Sequence, residues 1–119
     1  MHIWLINTNP LFTHIVVDYL VHNGHKVDIV KDLNMPQETP DVVIVEMIPT
    51  PSNLKQLQNM HQQHPQAPIV LVHDQPTRLQ LSEAHQCGIH AYLRKPFSLF
   101  ELDMIIWQVT QQAHAQKSL

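Results

Sequence analysis

Short runs of aliphatic and β-branched residues alternate along the chain with longer stretches of helical period. Residues 3–6, 27–30, 42–45, 69–72 and 91–93 are the strand candidates, and the first, third and fourth read as continuous apolar runs, the pattern of strands covered on both faces. Between the first two, Leu11, Ile15 and Tyr19 form one i, i+4 row and Phe12, Val16 and Leu20 an adjacent one, which predicts a helix over 10–22 with a broad apolar stripe. Asn9 followed by Pro10 supplies an N-cap and a first-turn residue for it. Residues 54–64 and 77–87 carry weaker helical patterns, the former ending before Pro65 and so reading as short. The strongest helix is expected over 98–113, opened by Ser98-Leu99-Phe100-Glu101, a capping box in which hydroxyl and carboxylate each satisfy an orphan backbone amide.

Gly24 and Gly88 each follow a helical stretch and precede a strand, where a left-handed residue ends a helix. Strands alternating with helices imply a parallel sheet with helices on both faces and right-handed crossovers. One connection departs from this pattern. Residues 31–40 hold Pro36 and Pro40 and little apolar period, so a loop or single turn is expected in place of a second crossover helix. Ligands of such sheets sit at the carboxyl ends of the strands, here Asn7-Thr8-Asn9, Glu46, His73-Asp74 and Arg94-Lys95.

Composition narrows the function classes. The chain of 119 residues fits one domain with its own core, residues 1–119, and 44% apolar against 14% charged residues excludes a disordered polyelectrolyte. No apolar run is long enough to cross a bilayer, so no membrane contact is expected. The first residues lack the basic region and cleavage site of a secretory signal, and Cys87 has no partner for a disulfide, so a cytoplasmic location is the expectation. The seven Lys and Arg form no run and the net charge is -3, which argues against direct nucleic-acid contact.

The segment Gly88-Ile89-His90-Ala91-Tyr92-Leu93-Arg94-Lys95-Pro96-Phe97, a strand-end Glu46 and Pro49 three residues beyond it carry a resemblance. Over its whole length the chain resembles the receiver domain of bacterial two-component response regulators. The resemblance implies a flavodoxin-like (βα)5 three-layer α/β sandwich with a parallel five-stranded sheet in the order 2-1-3-4-5, its second helix shortened or absent here. It also implies a cis peptide before Pro96, with Lys95 reaching back over the sheet. Glu46 aligns with the phosphoacceptor aspartate, Asn7 and Thr8 with the acidic pair that helps bind magnesium, His73 with the switch Ser or Thr, and Tyr92 with the aromatic switch residue.

Only the lysine and the aromatic position follow the family pattern. Two neutral side chains offer little negative charge to a hard cation, so the magnesium site is expected to be lost and no cofactor is expected. Phosphoryl transfer rests on positioning and on neutralising charge over the phosphoryl oxygens, a task the metal and the lysine normally share. Glu46 extends the acceptor carboxylate by one methylene, roughly 1.5 Å, towards the place of those oxygens. A Glu46–Lys95 pair, with His73 as a further partner of Glu46, would then substitute for phosphorylation, making this a pseudo-receiver and no enzyme. The alternatives are a working receiver phosphorylated at Asp74 and a flavodoxin-like module that binds a small molecule such as a flavin or cobalamin.

The remaining constellations are less specific. His61 and His64 stand at i, i+3, too few for a structural zinc site, and the ten histidines read as surface composition. Cys87 reads as a small residue at a helix end. Leu102, Ile106 and Val109 form the core row of the last helix, whereas Ile105 and Trp107 fall at positions expected to be exposed. They mark a contact surface for a protein partner, an attached output domain or a homodimer through that helix.

Overall fold

The computed structural model describes residues 1–6, 10–31, 38–75 and 77–117, the last four by backbone alone. The strands are β1 (His2–Ile6), β2 (Lys26–Val30), β3 (Val42–Glu46), β4 (Ile69–His73) and β5 (Ala91–Arg94), and the helices α1 (Pro10–His22), α2 (Pro51–Gln63), α3 (Arg78–Gln86) and α4 (Leu99–Lys117). All strand pairs are parallel, in the order β2-β1-β3-β4-β5. This is the expected flavodoxin-like arrangement. Among the described residues no helix lies between β2 and β3, in keeping with the expected loss or shortening of that crossover; Pro36 and its neighbours 32–37 lie outside the described residues. No helix among the described residues is long and apolar enough to cross a membrane.

The sheet divides the core in two because side chains alternate along each strand. Trp4, Ile6, Val43, Val45, Ile69 and Leu71 pack with Leu54, Leu57 and Met60 of α2 and Ala84 of α3. On the other face Ile3, Leu5, Val42, Ile44, Val70 and Val72 meet Val16 and Leu20 of α1 and Leu102, Ile106 and Val109 of α4. The central strands are buried on both faces, which is why they read as unbroken apolar runs. β2, at the edge, carries Asp28, paired at 2.5 Å with His2 on the neighbouring strand.

Local chemistry sets the element ends. α2 starts three residues earlier than the pattern suggests and is not short: the Thr50 hydroxyl caps it by accepting from the Asn53 amide, and Pro51 fits the first turn, where its missing N–H costs nothing. Thr77 and Gln80 form a reciprocal capping box at α3, whose C-cap is Cys87. Ser98 and Glu101 do the same at α4, which runs past Ala113 to Lys117. Gly24 and Gly88 have φ of +85° and +113°, the backbone freedom expected of both. Of the two rows on α1, Val16 and Leu20 are buried and Phe12 partly so, whereas Leu11 and Ile15 face outward. The expected Asn9 cap lies outside the described residues.

Candidate functional site

β1, β3, β4 and β5 end on the same edge of the sheet, and their register brings Glu46 of β3 beside Val72 and His73 beside Arg94. One residue beyond β5, the chain turns through a cis Lys95–Pro96 peptide, as the resemblance implies. Lys95 Nζ donates to Glu46 Oε1 at 2.9 Å, and the two side chains retain 28% and 19% of their exposure respectively. The lysine is also 5.5 Å from the centroid of the Phe12 ring, within cation–π range. Phe12 in turn meets Phe97 edge to face at 5.5 Å, an aromatic pair from α1 and the turn after Pro96.

Glu46 Oε2 is buried without a hydrogen-bond partner among the described residues. One carboxylate oxygen is therefore held by an ammonium and the other is out of water. Asn7 and Thr8 lie outside the described residues. No group of three His, Cys, Asp or Glu placed to hold a metal occurs among those that are described.

His73 acts through its backbone. Its carbonyl accepts from the Tyr92 hydroxyl at 2.8 Å and from the Lys95 amide at 3.1 Å. The expected ring contact with Glu46 is not formed: no ion pair joins them, because β3 aligns Glu46 with Val72 and leaves His73 one residue farther along. Tyr92 is packed against the α2 and α3 side of the core, and burial pushes its hydroxyl above the usual phenol range. Asp74 is exposed in an open cleft of about 680 Å³ with Gln75, Arg94, Lys95 and Glu101.

On α4 the two expected surface residues part company. Trp107 is 59% exposed and shares a helix face with Phe100 and Met104, also exposed. Ile105 is half-buried against the core. It lies three residues after Leu102 and four before Val109, which places it on the flank of the buried row.

No family model matches the chain. The Regulatory protein AtoC of Escherichia coli (strain K12) is 30% identical over 81 residues, 67% of this chain and 18% of AtoC. NtrX from Brucella abortus superposes with a TM-score of 0.85 at 17% identity, over 98% of this chain and 28% of NtrX. The CheY-like response regulator receiver domain protein from Methanospirillum hungatei JF-1 gives 0.84 at 15% identity, with 97% of each chain covered. The signal receiver domain of an HD domain-containing protein from Pseudomonas fluorescens Pf-5 gives 0.83 at 21%, over 98% of this chain and 91% of that one.

The fold is that of a receiver domain. The chain spans less than a third of AtoC and of NtrX, whereas it matches the Methanospirillum and Pseudomonas chains over nearly their whole length. In this receiver fold the Lys95–Glu46 pair occupies the edge of the sheet where ligands of such folds bind.

Proposed function

We propose that residues 1–119 form a receiver-like domain of the two-component type that signals through protein contacts, with the Lys95–Glu46 ion pair taking the place of a phosphorylated state. The observation that carries this reading is the 2.9 Å contact between the two side chains at the carboxyl edge of the sheet. A lysine that would neutralise phosphoryl oxygens is already committed to a carboxylate extended by one methylene. Glu46 sets one negative charge farther out from the strand end than an aspartate would and itself supplies the acceptor for the lysine, the contact a phosphoryl group would otherwise make. Asn7 and Thr8 bring no negative charge to bind a metal, and the hydroxyl of Tyr92 is tied inward to the His73 carbonyl, consistent with one held conformation.

The partner is a protein or an attached output domain. The exposed Phe100, Met104 and Trp107 face of α4 offers it an apolar surface, and a second copy of this chain is one occupant. A cytoplasmic setting belongs to the same reading.

Intact mass after incubation with a small-molecule phosphodonor and magnesium tests the proposal. No phosphoryl increment is expected. An increment abolished by Glu46→Gln would overturn the reading, and one abolished instead by Asp74→Asn would establish a working receiver with a displaced acceptor.

A further inference from the structure

The turn between α3 and β5, at the opposite end of the sheet from Lys95, holds a histidine contact that the proposed signalling site does not use. His90 engages both polar groups of Ile69: its amide donates to the Ile69 carbonyl at 2.8 Å, and its ring Nδ1 accepts from the Ile69 amide at 3.2 Å. A ring nitrogen accepts only while it bears no proton, so this two-point hold on the start of β4 requires that nitrogen to be free of one. From the last turns of α2, His61 brings its ring centroid to 6.1 Å from that of His90. Its Nδ1 is buried without a hydrogen-bond partner among the described residues. The His61 ring lies so close over Gly88 that a Cβ there would stand 2.5 Å from its Cγ. His85, on α3, donates from Nδ1 to the Ile89 carbonyl at 3.2 Å. The titratable groups acting on His90 are thus His61 from α2 and His85 from α3, and neither supplies negative charge.

We propose that this contact is a proton-sensitive joint: a neutral His90 ring locks the end of α2 and the α3–β5 turn onto the start of β4, and a proton on that ring releases them. A proton on Nδ1 turns the acceptor into a donor facing the Ile69 amide and adds a charge beside His61 and His85. Burial first, and His61 next, hold the His90 ring below the ordinary imidazole range, against an opposing pull from the Gly88 carbonyl. The folded state therefore binds fewer protons than the unfolded chain between the two titration points. The stabilisation is complete above about pH 6.5, the unfolded value, and is lost as pH falls from there towards the folded one. Because α2 joins the strand ending at Glu46 to the strand ending at His73, the joint anchors the far end of the segment that carries the site.

Amide hydrogen exchange by NMR, corrected for intrinsic rates, tests the joint at about pH 7.5 and about pH 5.5, on either side of the imidazole range. The Ile69 amide should lose protection at the lower pH several-fold relative to Leu71 in mid-strand, because the protonated ring nitrogen can no longer accept from it. His90→Asn offers an amide oxygen near the place of Nδ1 that does not titrate, and should keep the Ile69 to Leu71 ratio constant. A ratio that does not change with pH in the unmodified chain, or one that changes equally in His90→Asn, would overturn the proposal.

Discussion

Replacing Lys95 by Met and Glu46 by Gln, singly and together, measures the ion pair on which the functional reading stands. Met retains an apolar stem beside Phe12 and Gln keeps the length of Glu, so packing is nearly constant through the cycle. At 2.9 Å the bare attraction is roughly 6 kcal/mol at an effective dielectric near 20. Desolvation of both groups cancels most of it. Exposed pairs couple by about 0.2–1 kcal/mol, whereas breaking a buried pair costs about 3–5 kcal/mol. With 28% and 19% of their surface left, Lys95 and Glu46 fall between these limits. We expect each single substitution to cost about 2 kcal/mol and the double about 2.5 kcal/mol, a coupling of about 1.5 kcal/mol. For 119 residues an unfolding entropy near 2.1 cal/mol/K per residue turns a 2 kcal/mol loss into a Tm drop of about 8 °C. Urea titrations with a shared m-value, repeated at high salt, give the coupling directly. A partly buried pair should keep most of it in salt. Coupling below about 0.3 kcal/mol, the level at which independent sites add, would mean that the two charges do not meet in solution, and the substitution for phosphate would lose its physical basis.

The two glycines separate strain from space. Gly24→Ala meets nothing within 4 Å and should cost about 1 kcal/mol for its left-handed backbone, whereas Gly88→Ala also drives a methyl into the His61 ring and should cost about 2–4 kcal/mol; adding His61→Ala should narrow the gap in denaturation midpoints. Tyr92→Phe removes the donor to the His73 carbonyl, which Lys95 still reaches, and should lower stability by about 1 kcal/mol in the same titration. Trp107→Ser should leave stability within about 0.5 kcal/mol, because the indole is mostly solvated. If two copies meet on that face, the same substitution should reduce the molar mass seen by light scattering at high concentration to that of a monomer.

How much of this was legible in the sequence depended on what wrote the signal. β3 and β4 were readable because burial on both faces leaves an unbroken apolar run, and α3 because Thr77 and Cys87 cap it where the pattern begins and ends. The apolar period misses the start of α2 because its first turn is polar and begins with proline, and the Thr50 cap carries the boundary instead. The Lys95–Glu46 contact could be anticipated because both residues sit at strand ends on one edge of a parallel sheet. The role of the His73 carbonyl could not, since every residue has one and the side chain gives no hint. Composition alone suggests surface histidines, yet His61 and His90 are half-buried neighbours joined across 29 positions of sequence. Gly88 was the available signal: a residue that ends a helix can also be one that must let another ring come close.

The measurement that bears most directly on the central claim is the amide spectrum of the isotopically labelled chain before and after addition of magnesium and beryllofluoride, a phosphoryl mimic. With Lys95 held by Glu46, the resonances of Glu46, His73, Asp74, Tyr92 and Lys95 should stay in place. Concerted shifts at those positions, saturating with the mimic, would show a pocket that still receives a phosphoryl group and would contradict the account.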